Sequence, residues 1–388
     1  MKPELKIGMI GQGFMGRAHS NAWTMLERFF DVPYHPVLKA VAGTKSFVKD
    51  FAETWGYESY TQNWRELVQR DDIDVIDVGA PTYLHKEMVL AAVQAGKHVV
   101  CEKPCALTSK EAQEMADAAK KAGVVHYLNH NYRRVPAVAF AKKLIDEGRL
   151  GQIYHWRGSY FQDWILDASF PLTWQLQSEK AGGGPLYDLA SHGVDLARYL
   201  VGEPVSVMAK CKTFVARRPL SDGDAAVFTK GSPNSGPKEG KVTVDDAAFL
   251  VLEFENGALG SIDVSRFAAG CKNQNKFEIY GSRGALKFDL ENLNELQFLD
   301  LDAPAGEQGF RTIMATSLAH PYAGAWWGPG HIIGYENTFF HAFADFVQAV
   351  QQNQVIQPNL FDGVQIARVL EAAQKSSREN RCIQIEKS

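Results

Sequence analysis

The stretch Lys6-Ile7-Gly8-Met9-Ile10-Gly11-Gln12-Gly13-Phe14-Met15-Gly16 decides the fold. An apolar run reads as a buried strand, three glycines follow it directly, and the segment beyond them opens a helix. The first two glycines permit a tight turn and close backbone approach. The helix start then presents unpaired N–H groups to a pyrophosphate. Gly11, Gly13, Phe14 and Met15 are therefore candidate contacts to a dinucleotide.

Around that loop the first ~130 residues alternate short apolar runs with amphipathic stretches, the signature of βαβ units and a parallel sheet. Lys6 to Ile10, Val37 to Ala42, Val75 to Val78, His98 to Cys101 and Val125 to Asn129 read as strands. Ser46 to Trp55, His85 to Ala95 and Ser109 to Ala122 read as helices. After Pro136 one helix, Ala137 to Glu147, leads into strands of period-two alternation, with Asn256-Gly257 and Gly281 to Gly284 as turns. The expected fold class is an α/β Rossmann domain, residues 1–130, followed by an α+β domain, 131–388, with a large, mostly antiparallel open-faced sheet. Residues 216 to 243 read as an exposed excursion, and Phe339, Phe340, Phe343, Phe346, Val347 and Val350 share one helical face.

Bulk properties exclude other classes. A net charge of −4, with scattered basic residues, gives no footprint for nucleic acid. No apolar run approaches the ~18 residues of a membrane span, and the N-terminal residues carry no signal-peptide h-region, so the expectation is a cytoplasmic protein. The five cysteines have no C-x-x-C pair and read as thiols, and no metal is expected.

The end of the second strand normally carries the acid that reads the adenosine ribose. Here the sequence is Ala42-Gly43-Thr44-Lys45-Ser46, without a carboxylate. Thr44 and Lys45 could hold a 2′-phosphate, or Lys45 could be a solvated residue at a helix start, so NAD and NADP both stay open. Lys103, in Cys101-Glu102-Lys103-Pro104, lies at a strand end where α/β sheets place ligands, or else it is a surface lysine with its charge in water. Asp188 and His192 are four apart, on one face if helical. They follow the loop Gly182-Gly183-Gly184-Pro185, and a helix cap with a core histidine is the plainer alternative.

Together with the glycine loop, Glu102-Lys103-Pro104 and Asp188-x-x-x-His192 make the chain resemble the Gfo/Idh/MocA oxidoreductases. Further matches are Ala80-Pro81-Thr82-Tyr83-Leu84-His85, Asn131-Tyr132-Arg133-Arg134-x-Pro136 and Gly334-Tyr335-Glu336-Asn337-Thr338-Phe339. Within the family, Phe161-Gln162-Asp163-Trp164 and Pro171-Leu172-Thr173-Trp174 are similar to members acting on anhydrosugars. Gln175, where such members often carry Arg, and the missing acid near Thr44 depart from the pattern.

What the resemblance implies is transfer of a hydride between NAD or NADP and a hydroxyl-bearing carbon of a sugar, anhydrosugar or polyol. Lys103 and His192 would relay the proton, and Asp188 would orient the substrate. It adds Pro81, Thr82, His85, Glu102, Asn131 and Tyr335 as cofactor contacts. Tyr132, Gln162, Asp163, Trp164 and Trp174 join Lys103, Asp188 and His192 as substrate contacts, although aromatics in a strand-rich domain are often core. A homodimer or homotetramer is expected. Two other readings stay open: a relative that cleaves or epimerises glycosides by transient oxidation, and a non-catalytic NAD(P)-binding sensor.

Overall fold

The computed structural model describes residues 2–44, 47–220 and 238–386. In chain order the elements begin β1 (Glu4–Ile10), α1 (Phe14–Phe29), β2 (His35–Ala42), α2 (Val48–Trp55), β3 (Ser59–Thr61), α3 (Trp64–Val68) and β4 (Val75–Val78). They continue α4 (His85–Gln94), β5 (His98–Glu102), α5 (Ser109–Ala122), β6 (His126–Asn129), α6 (Pro136–Asp146), β7 (Ile153–Phe161), α7 (Ser178–Ala181), α8 (Pro185–Asp188) and α9 (Ala190–Leu200). Next come β8 (Pro204–Lys212), β9 (Arg217–Pro219), β10 (Glu239–Lys241), β11 (Ala247–Phe254), β12 (Leu259–Ser265), β13 (Gln274–Gly281) and β14 (Gly284–Asp289). The chain ends with β15 (Glu295–Asp300), β16 (Arg311–Met314), α10 (Asn337–Gln352), α11 (Leu360–Glu379) and β17 (Ile383–Gln384).

Contacts divide the chain into two units, Met1–Arg134 with Gly334–Ala367, and Val135–Ile333 with Arg368–Ser388. A single cut after residue 130 does not describe this division, because residues 334–367 return to the first unit. The reason is apolar: α1 and α10 each carry one buried face, and the two faces meet. Trp23 stacks on Phe343 with ring centroids 4.2 Å apart, and Phe29 meets Phe340 edge-on at 6.2 Å. The fully buried rings of Trp23 and Phe343 contribute roughly 2 kcal/mol each.

In the first unit six strands form a parallel sheet in the order β3-β2-β1-β4-β5-β6. All four residues of β4 are buried, as a strand covered on both faces requires. The order reverses between β1 and β4, which opens a crevice at the carboxyl edge there. α5 shows why a helix starts where it does, since Thr108 Oγ1 accepts the Glu111 N–H (3.1 Å) and Gly123 ends it in the left-handed region (φ 66°).

The second unit holds a nine-stranded sheet in the order β16-β15-β14-β13-β7-β12-β11-β8-β17. β12 runs parallel to β7 and the other neighbours pair antiparallel. On β11, Leu250, Leu252 and Phe254 are buried while Phe249 and Val251 point outward. Helices cover the inner face, and Gly193 lets α9 approach closely, because a Cβ there would lie 3.1 Å from Ile262 Cγ2. Within the excursion expected over 216 to 243, β9 and β10 pair as a short ribbon, and residues 221–237 lie outside the described residues. The strands β3, β9, β10, β15, β16 and β17 are additions to those read from the sequence. Among the described residues no helix is long and apolar enough to cross a membrane.

Candidate active site

In the first unit the glycine loop sits at the carboxyl edge of β1. Gly11 has φ +127°, and a Cβ there would meet the Gly79 carbonyl oxygen at 2.6 Å. A Cβ on Gly16 would collide with Gly11 O, so α1 packs too close to the turn for any side chain. A Cβ on Gly13 would meet nothing within 4 Å, and Gly13 begins α1 with no side-chain cap. The start of α1 thus opens on a cradle that fits a pyrophosphate. Phe14 is half-exposed over the loop, 6.3 Å from Tyr335, which meets Tyr132 edge-on at 6.4 Å. Met15 is partly buried, Thr44 is exposed, and Lys45 lies outside the described residues.

The loops after β4, β5 and β6 and the start of α10 carry the remaining expected contacts. Pro81 is partly buried and Thr82 buried. His85 is buried with its ring nitrogens 2.8 Å from Ala80 O and 2.9 Å from Pro104 O. Burial holds it below its ordinary pKa, so the neutral ring donates its single N–H to one carbonyl at a time. It clamps two loops together. Asn131 donates its amide to Thr338 Oγ1 (2.7 Å), whose hydroxyl bonds Tyr335 O (2.7 Å), which fixes Tyr335 at the start of α10.

Lys103 is partly buried at the end of β5, and the Lys103–Pro104 peptide is cis. Its backbone N–H donates to Glu102 Oε2 (3.1 Å). Glu102 is itself buried: its Oε1 lies 2.9 Å from His19 Nε2 and accepts from Asn129 Nδ2 (2.6 Å). On the other side of His19, Nδ1 lies 2.9 Å from Asp77 Oδ1, and Trp23 Nε1 donates to Asp77 Oδ2 (2.8 Å). Burial alone would push His19 down, but the two carboxylates outweigh it and raise its pKa to about 10. Burial likewise pushes Glu102 up, while His19, the charge of Lys103 and Asn129 hold it below its ordinary value. Behind Lys103 lies the His19 imidazole, held between the buried carboxyl groups of Asp77 and Glu102.

The second unit carries the other group of expected residues. Asp188 closes α8, and His192 lies in the first turn of α9, so the single helix expected across them is interrupted at Leu189. There the His192 N–H bonds Leu189 O only three residues back, at 3.1 Å. Asp188 Oδ2 accepts from Arg266 Nη2 (2.7 Å), and the Arg266 guanidinium lies 5.3 Å from the Trp164 ring centroid. His192 is buried beside Tyr160, ring centroids 5.8 Å apart.

Around them Asn273 Oδ1 accepts from Tyr160 OH (2.6 Å) and Gln162 Nε2 (3.1 Å), and Gln162 Oε1 accepts from Trp164 Nε1 (2.8 Å). Gln162 therefore orients its neighbours. Asp163 faces Lys272 (2.6 Å), which holds its carboxyl below the ordinary value. Trp174 opens a short turn and is partly buried. Among the described residues no group of three or more His, Cys, Asp or Glu could hold a metal ion.

Sequence reasoning missed His19, Asp77, Asn129, Arg266 and Asn273. A carboxylate inside the all-buried strand Val75-Ile76-Asp77-Val78 was a usable signal. Arg266 and Asn273 gave none, since neither lies in a motif.

Comparison with known proteins adds the following. Residues 5–130 match the profile described as the oxidoreductase family, NAD-binding Rossmann fold, and residues 138–287 match the GFO/IDH/MocA C-terminal domain. The chain is 41% identical to levoglucosan dehydrogenase of Pseudarthrobacter phenanthrenivorans over 98% of both chains. The solved structure of a levoglucosan dehydrogenase with NADH and levoglucosan superposes with a TM-score of 0.93 at 39% identity, covering 99% of this chain and 100% of that one. An oxidoreductase domain protein from Kribbella flavida also superposes at 0.93, with 42% identity and the same coverage.

Proposed function

This chain belongs to the Gfo/Idh/MocA family of oxidoreductases, and from that premise we propose that it oxidises a hydroxyl-bearing carbon of an anhydrosugar of the levoglucosan type. It is an NAD-binding oxidoreductase of the sugar and polyol dehydrogenase kind. One observation carries the finer reading: Lys103 directly follows β5 at the same sheet edge as the glycine loop, with the buried Asp77–His19–Glu102 network fixing the residue before it.

Gly11, Gly13, Phe14 and Met15 would hold the dinucleotide with Thr44, Pro81, Thr82 and Tyr335, while His85, Glu102 and Asn131 fix the loops around it. When bound, NAD supplies an acceptor for the hydride that leaves the substrate carbon. The hydroxyl proton must go to a base, and Lys103 and His192 are the residues we assign to that work. Asp188, held by Arg266, would orient the substrate hydroxyls. Tyr132, Trp164 and Trp174 offer apolar faces to the C–H surface of a sugar ring.

Absorbance at 340 nm, followed with levoglucosan and a panel of sugars and polyols against NAD and then NADP, tests the proposal. Lys103→Ala is expected to lower kcat at least ~10³-fold and to leave NADH binding intact. Near-normal kcat in that variant would remove Lys103 from the mechanism. Product release without net NADH would point instead to oxidation with the cofactor recycled in place.

We also place the working protein in the cytoplasm, as an assembly of two or four copies. In support, all five cysteines are unpaired thiols, and the outer face of the nine-stranded sheet exposes Met208, Phe249, Val251 and Leu259.

A further inference from the structure

We propose that Gln12 reads the adenosine ribose of the dinucleotide, its side-chain amide standing where other chains of this fold use an acid at the end of the second strand. The inference rests on the NAD-binding reading of the glycine loop and goes beyond it to cofactor choice.

Both amide atoms of Gln12, Nε2 and Oε1, are buried and have no hydrogen-bond partner among the described residues. A buried amide left so destabilises the fold, and a ligand that completes it is a physical reason to keep one. The side chain crosses from the glycine loop to the end of β2. A Cβ built on Gly43 would fall on the Gln12 amide, so only a glycine there leaves the space the amide occupies. Gly43 is fixed by its N–H bond to Thr61 O (3.1 Å). Residues 42 to 44, Ala-Gly-Thr, carry no carboxylate, so the position that reads the ribose diol is empty of its usual group.

An amide matches a diol. Its oxygen accepts from one hydroxyl while its NH2 donates to the other. It differs from an acid toward a 2′-phosphate: a carboxylate repels that dianion, and an amide N–H donates to it. The chain should accept NADPH as well as NADH, with dissociation constants within about tenfold.

The test is fluorescence titration of NADH and NADPH on the whole protein. Gln12→Leu should weaken NADH about tenfold without lowering the melting temperature of the unliganded protein, because it removes an unpaired amide. Gln12→Glu should weaken NADPH relative to NADH at least about tenfold. Gly43→Ala should displace the amide and weaken NADH, and adding it to Gln12→Leu should cost nothing further. NADH constants within about twofold of the parent in both Gln12 variants, or a lower unliganded melting temperature for Gln12→Leu, would overturn the assignment. If the parent bound neither dinucleotide, the cofactor reading itself would fall and this inference with it.

Discussion

His19 is fully buried, and the carboxyl groups of Asp77 and Glu102 on either side of it favour its charged form. Its pKa is raised from 6.5 to about 10 in the folded chain, against an unfolded ring near its ordinary value. Between those limits the native state binds the extra proton, so the stabilisation is full below about pH 6.5 and is lost as pH rises toward 10. His126 and His341 work in the opposite sense. Burial lowers them to about 4 and about 3, so they cost stability as pH falls below 6.5. Melting temperature against pH should therefore peak near neutrality. His19→Gln should melt lower at pH 7, since it leaves two buried carboxylates without their partner, a loss of about 3–5 kcal/mol. It should also show a flatter decline from pH 7 to 10. An alkaline decline as steep as the parent's would mean that His19 is not charged in the folded state.

At the scale of elements, Arg218 on β9 governs the loop that follows β7. Its side chain is fully buried, Nη1 donates to Asp167 O (2.8 Å) and Phe170 O (3.2 Å), and Nη2 donates to Ile165 O (2.6 Å). One guanidinium thus gathers three carbonyls of the segment that bears Trp164. Arg218→Met would strand those carbonyls at roughly 1–3 kcal/mol each, and Lys could not span them from a single nitrogen. Both variants should raise the substrate KM at least ~tenfold while NADH binding stays unchanged. A KM unaffected by either would show that the loop does not form the substrate pocket. Such an anchor was not legible in the sequence. The glycine loop was, because its chemistry is local: a strand, a turn needing φ +127° at Gly11, a helix start. Arg266 reaches Asp188 across 78 residues, and Asn273 meets Gln162 across 111, joined only by strand register. No periodicity encodes such pairings.

For the whole molecule, the parallel and mostly antiparallel sheets followed from alternation patterns, while the allocation of the C-terminal third did not. The Phe-rich face of α10 was visible, but its partner on α1 lies in the first unit and is set by three-dimensional packing. The outer face of the second sheet is polar in part, with Arg157, Glu278 and Lys287 neighbouring one another. Toward β8, however, Met208 sits opposite Val251, with Phe249 two residues along. Such an exposed apolar row suits a second copy. Phe249→Asp with Val251→Asp should shift the mass measured by light scattering from assembly to monomer, with the circular dichroism spectrum unchanged. An unaltered mass would move the interface elsewhere.

The return of residues 334–367 to the first unit bears on how this chain can be divided or recombined. An isolated fragment ending at Arg134 would strip α10 from α1 and uncover Trp23, which packs on Phe343 and Phe346, so it should precipitate when expressed alone. A chimera that borrows the dinucleotide-binding half of a relative should import that relative's α10 as well, because residues up to Arg134 and residues from Gly334 pack as one unit.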